Sequence, residues 1–132
     1  MYLVDTSVWV DVFRRPPRVD LESTIGVEAV VTCLPVLQEV LQGFRDDRAF
    51  RVARDAMLAF PIVEAPLETA VFEDAVDLFR LARRVGVTVR SSVDCLIAVC
   101  AVRNDLTVLH HDRDFDQLAR IAPLRARNIG RG

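Results

Sequence analysis

Five carboxylates stand where solvated acids are not expected: Asp5, Glu39, Asp94, Asp112 and Asp114. Asp5 ends the apolar run Tyr2-Leu3-Val4 and is followed at once by Thr6 and Ser7. Glu39 lies within the apolar stripe Val36, Leu37, Val40 and Leu41. Asp94 opens an otherwise apolar segment that runs to Cys100, and Asp112 and Asp114 follow the run Leu106-Thr107-Val108-Leu109. Each has a structural use by itself. Asp5, Asp112 or Asp114 can cap a helix, Asp94 suits the positive end of a helix dipole, and Glu39 can pair with an arginine. Brought together, they repel unless protons or cations compensate. A hard divalent cation such as Mg²⁺ takes oxygen ligands of this kind. It can lower the pKa of a bound water and stabilise the leaving oxygen of a phosphodiester.

The elements needed to bring them together are legible. Tyr2 to Val4 reads as a buried strand, and Val8, Trp9, Val12 and Phe13 repeat at helical spacing behind an N-cap. Ala29 to Cys33 is a second buried strand, and Pro35 opens the helix that carries Glu39. A short helix over 21–27 ends at Gly26. Asp46 to Phe60 reads as an amphipathic helix capped by Asp46 or Asp47, Pro61 to Glu64 as a third strand, and Pro66 to Val85 as a long helix closed by Gly86. Ser91 or Ser92 caps a helix that is apolar on nearly every side and therefore central. Leu106 to Leu109 and Leu124 to Ile129 are the fourth strand and an edge strand, with a short helix between them. Strands alternating with helices imply parallel βαβ units and one sheet covered on both faces. In such a sheet, strand C-termini and the following helix N-termini share one edge. Every one of the five acids falls on that edge.

Composition permits this and excludes little. A chain of 132 residues that is 52% apolar fits one domain with a sizeable core, over residues 1–132. No apolar run reaches the roughly 18 residues of a membrane span, and there is no signal peptide pattern at the start. Cys33, Cys95 and Cys100, an odd number inside apolar segments, read as buried thiols of a cytoplasmic protein. The net charge of −2 does not advertise nucleic-acid binding, yet every basic side chain is an arginine, whose fork suits phosphate. Arginines cluster at 14, 15 and 18, at 80, 83, 84 and 90, and at 125, 127 and 131. Arg90, next to the segment carrying Asp94, is the expected phosphate contact. Trp9 reads as core. Of the adjacent His110 and His111, only one can face a site.

In order, Asp5-Thr6-Ser7-Val8-Trp9, Pro35-Val36-Leu37-Gln38-Glu39-Val40, Ser92-Val93-Asp94-Cys95-Leu96-Ile97-Ala98 and His111-Asp112-Arg113-Asp114-Phe115 resemble the four acidic motifs of PIN-domain ribonucleases. The likeness is strongest to the VapC toxins of bacterial VapBC toxin–antitoxin pairs, and it covers the whole chain. It implies a PIN-like three-layer α/β sandwich with a parallel sheet of about five strands. It also implies Mg²⁺-dependent RNA cleavage, with Mn²⁺ a possible substitute, and inhibition by a small VapB-like antitoxin. Carried over by motif, the catalytic acids are Asp5, Glu39, Asp94 and Asp112. Asp5, Asp94, Asp112 and Asp114 are the metal ligands, and Thr6 or Ser7 supports Asp5 by hydrogen bonding.

Two other acid-clustered α/β chemistries lack a residue here. A receiver domain uses a lysine, of which there is none, and a dehalogenase-like phosphatase wants a second aspartate two residues after Asp5. A PIN fold that only binds a protein partner stays open. The apolar side chains Trp9, Val12, Phe13, Leu37, Val40, Leu41 and Phe44 exceed what two surface helices need. They point to a groove, shared with the helix over 46–60, for an amphipathic antitoxin helix, and to a two-fold homodimer.

Overall fold

In the computed structural model, which describes residues 1–130, five strands form one sheet: β1 (Tyr2–Val4), β2 (Val30–Cys33), β3 (Ile62–Val63), β4 (Thr107–His110) and β5 (Arg125–Asn128). Their order is β3-β2-β1-β4-β5, and every pairing is parallel. The chain leaves β1 in one direction to build β2 and β3, then returns to its other side for β4 and β5. The turning point lies between β1 and β4, the place where open α/β sheets leave a crevice at their C-terminal edge. Arg131, the last of the C-terminal arginines, falls outside the described residues.

Seven α-helices complete the three-layer α/β fold: α1 (Thr6–Phe13), α2 (Leu21–Thr24), α3 (Leu34–Leu41), α4 (Asp47–Leu58), α5 (Thr69–Arg84), α6 (Ser92–Arg103) and α7 (Arg113–Ala119). The apolar runs are strands because both their faces are covered: all of β2, with Leu3 and Val4 of β1, is buried. β5 is the polar exception, Arg-Ala-Arg-Asn on an open edge, where charge discourages pairing with another chain. The central helix is α6, with Cys95, Ile97, Ala98, Cys100 and Ala101 at most 1% exposed. Phe115 of α7 is fully buried, which contributes roughly 2 kcal/mol by transfer from water. The three cysteines are buried free thiols.

The boundaries depart from expectation in two places. The long helix begins at Thr69, not Pro66, because the segment from the left-handed Glu64 (φ 53°) first lays Leu67 onto the core. β4 runs one residue further than expected, so His110 pairs with Asn128 inside the sheet. Gly86 closes α5 with a φ of +77°, a conformation that glycine adopts freely. Among the described residues no helix is long and apolar enough to cross a membrane.

Candidate active site

Asp5 is both a cap and a site residue. It follows β1, donates its backbone N–H to Leu109 O at 2.9 Å, and caps α1. One carboxylate oxygen, Oδ2, accepts from Ser7 N–H at 3.0 Å and from the Ser7 hydroxyl at 2.6 Å. The other, Oδ1, is buried without a partner. Burial pushes the Asp5 pKa up, and the two Ser7 hydrogen bonds offset only part of that. Ser7 Oγ also accepts from His111 N–H at 3.2 Å, joining the ends of β1 and β4.

Thr6 does something other than expected. Its hydroxyl donates to Glu39 Oε1 at 2.8 Å, not to Asp5. The reason is direction: residue N1 of α1 points toward α3, which packs beside it, while residue N2 folds back onto the cap. Glu39 is thus half-buried and held across 33 residues of sequence.

Asp94, Asp112 and Asp114 form the tightest group, with one carboxylate oxygen of each within 4.8 Å of the others. Asp112 caps α7 by accepting from Asp114 N–H at 2.9 Å. Asp94 lies in the first turn of α6, which Ser91 caps. Asp94 Oδ2 is buried with no partner. Burial, the hydrogen bond with Asp114, and the charges of Asp5, Asp112 and Asp114 push its pKa up to about 9. For Asp114, burial acts upward too, but the hydrogen bonds from Asp94 and Arg90 outweigh it and hold the group below its ordinary value. The two carboxyls therefore titrate in opposite directions, Asp94 above its ordinary value and Asp114 below it.

Asp5, Glu39, Asp94, Asp112 and Asp114 all line one open cavity of about 360 Å³, with Thr6, Ser7, Arg90 and Ser91. Five carboxylates on one rim with two orphaned buried oxygens, and a donor set made wholly of oxygen, fit a hard divalent cation. Asp94, Asp112 and Asp114 could hold it, with Asp5 beside them.

Arg90 lines the acidic cavity and is already engaged there. Its Nη2 lies 2.7 Å from Asp112 Oδ1 and its Nε 3.1 Å from Asp114 Oδ1, although the side chain is 55% exposed. Two of its three guanidinium nitrogens are thus engaged by carboxylates before any phosphate arrives. Sequence spacing could not show this, because 22 residues separate Arg90 from Asp112.

Two supporting residues were not legible either. His110 is fully buried, and its Nδ1 accepts from Asp112 N–H at 3.1 Å, so it fixes the backbone of an acid. Burial lowers its pKa and keeps it neutral. Asp11, buried in α1, lies 3.3 Å from His111 Nδ1. An acid in the second turn of an apolar helix was the available signal for Asp11; for His110 it was the pair of adjacent histidines, of which residue order could not say which is buried.

Residues 2–121 match the PIN domain family. The chain belongs to that family. This PIN domain is 37% identical to Ribonuclease VapC11 of Mycobacterium tuberculosis over 131 residues, 96% of this chain and 97% of the relative. It is equally similar to VapC ribonuclease Mb1587 of Mycobacterium bovis. Among solved structures it shares its fold with VapBC2 of Rickettsia felis bound to a promoter DNA fragment. That likeness has a TM-score of 0.76 at 16% identity and covers 98% of each chain. VapC20 of Mycobacterium tuberculosis, a Sarcin-Ricin loop cleaving toxin, superposes with a TM-score of 0.69 at 18% identity, covering 95% of this PIN domain and 99% of VapC20.

Proposed function

We propose that this PIN domain is a Mg²⁺-dependent endoribonuclease and the toxin of a VapBC-type pair, with Mn²⁺ able to substitute. The observation that carries the reading is the meeting of Asp5, Glu39, Asp94, Asp112 and Asp114 in one cavity, in a chain so similar to VapC11 along its length. When bound, the cation supplies Lewis acidity toward water and phosphate and neutralises the crowded carboxylates.

The chain's own residues do the rest. Asp94, Asp112 and Asp114 would hold the cation, and Asp5 would offer it the oxygen that Ser7 does not use. Thr6 fixes Oε1 of Glu39, and the other oxygen of Glu39 takes the proton of the attacking water. Arg90 keeps Asp112 and Asp114 in place and offsets part of their negative charge, so the cleft tolerates an approaching phosphate. Cleavage of cellular RNA by the purified protein, compared in Mg²⁺, Mn²⁺ and EDTA, tests the reading. No cutting in either metal would end it.

The antitoxin reading rests on a second cavity. Trp9, Val12, Phe13, Leu21, Ala56 and Phe60 line an open groove of about 610 Å³ between α1, α2 and α4. Trp9 and Phe13 stack at 5.6 Å, and Phe60 lies 5.8 Å from Trp9. Trp9 is itself buried in the groove floor. Such a trough suits the apolar face of an amphipathic helix, here that of a VapB-like antitoxin. A two-fold homodimer is part of the same reading, as is a reducing cytoplasm, consistent with the three buried thiols. Light scattering of the purified chain reads the dimer directly.

A further inference from the structure

A second polar cavity, of about 550 Å³, adjoins the acidic one and shares Arg90 and Asp114 with it. Its charge is opposite. Arg90, Arg113 and Arg120 line it, and the one carboxylate among its walls is Asp114, which Arg90 already matches. Neither Arg113 nor Arg120 has a carboxylate at ion-pair distance among the described residues. The polar contact of Arg120 is with the neutral Gln117 Oε1, at 3.3 Å. In a chain of net charge −2, two unmatched guanidiniums in one cavity beside the metal acids make a local reversal of field.

Geometry says what such a cavity would hold. Arg113 opens α7 and Arg120 closes it, seven residues apart. Two helical turns place them on one face, separated by about 10 Å of axis, so they engage separate anionic groups rather than one. Val85, Val87 and Ile121 line the same cavity and give the flat faces of bases something apolar to lie on. A positively charged groove that tracks the backbone is how single strands are held without reading their sequence.

Resting on the ribonuclease reading, we infer that Arg113 and Arg120 form a phosphate-binding groove that carries the single-stranded RNA away from the acidic cleft. The strand leaves the metal acids over Arg90 and lays its next phosphates along α7. Arg113 and Arg120 are binding residues, and the acids do the chemistry. The arrangement bears on how a net-acidic chain holds RNA: two of its unmatched guanidiniums lie next to the cut.

The test is the double variant Arg113→Gln/Arg120→Gln against the wild type, with Arg113→Lys/Arg120→Lys as the charge-preserving rescue and Arg51→Gln/Arg54→Gln on α4 as a control lining neither cavity. Binding of a fluorescent single-stranded oligoribonucleotide is read by anisotropy in Ca²⁺ in place of Mg²⁺. The glutamine pair should weaken binding about tenfold. It should also reduce the slope of log affinity against log salt by about 1.4, from roughly 0.7 per single-strand phosphate contact. In Mg²⁺ its KM should rise with kcat within about twofold, and the lysine pair should restore most of the affinity. Unchanged affinity and slope in the glutamine pair, with melting temperature intact, would overturn the groove while leaving the nuclease standing. Loss of binding in that pair, from a wild type that cuts no RNA, would keep the groove and end the nuclease reading instead. Equal displacement of the RNA by oligoglutamate of matched charge would assign the cavity to an acidic protein segment and overturn the RNA path.

Discussion

Arg90 grips Asp114 twice, through its backbone N–H to Oδ2 at 3.0 Å and through its side-chain Nε to Oδ1 at 3.1 Å. One residue thus sets both the position of an acid and its charge. Without the guanidinium, one hydrogen bond and one neighbouring charge that hold the Asp114 carboxyl down are lost, and it would titrate higher. Arg90→Ala should therefore move the acidic limb of the pH–kcat profile toward higher pH and weaken Mg²⁺ binding near neutrality. A profile that lowered activity equally at every pH would assign Arg90 to phosphate contact alone.

Removing Asp94 or Asp5 should stop catalysis without unfolding the chain. Both face the cavity, and each leaves a buried oxygen unpartnered. Asp5→Asn or Asp94→Asn should lower RNA cleavage about 100-fold or more, the upper range seen even for residues that only support metal ligands. In EDTA near pH 9, where Asp94 begins to charge, Asp94→Asn should melt slightly higher than wild type, because the like charge that builds up on Asp94 is absent from the variant. Wild-type turnover by either variant in Mg²⁺ would disprove its assignment.

Metal-free stability should depend on pH with a sign set by Asp94. Its folded pKa, about 9, lies above its ordinary value of 3.8. Between those values the native chain binds more protons than the unfolded chain, so stability falls as pH rises. The contribution is full below pH 3.8 and is lost as pH climbs through about 9. Asp114 runs the other way, since its folded pKa is depressed: its contribution is present above the ordinary carboxylate range and lost in acid. Urea denaturation in EDTA from pH 6 to 9 should show falling stability, and Asp94→Asn should remove most of that slope.

Thr6→Val should cost about tenfold in kcat/KM, by analogy with lost supporting contacts. The hydroxyl is what holds Glu39 Oε1 at 2.8 Å. Thr6→Ser should restore most of the loss, since the donor survives. If Thr6→Val were fully active, Glu39 would need no positioning.

The apolar groove should be the antitoxin's seat. Val12 is half-buried on α1 and lines that groove. Val12→Glu should weaken binding of a VapB-like antitoxin by about 30-fold, as expected of a central interface residue, and leave RNA cleavage intact. Calorimetry with the two purified chains would measure it, and undiminished affinity would move the interface elsewhere.

The four acidic motifs, the alternation of buried runs with amphipathic ones, and the all-round apolar helix around Asp94 were readable from residue order alone. Those signals are local: a strand followed by a carboxylate and a hydroxyl needs no partner to be recognised. Strand boundaries were right to within a residue or two for the same reason, and the start of α5 was not, because Leu67 docks onto a core that only exists once the sheet is built. What residue order could not contain were relationships across the crevice between β1 and β4. Thr6 turning to Glu39, Arg90 folding onto Asp112 and Asp114, and His110 holding the backbone of Asp112 each join distant segments. The charge on each acid belongs to the same class. Asp94 and Asp114 carry the same side chain, yet burial and neighbours drive one pKa up and the other down, and only packing decides which.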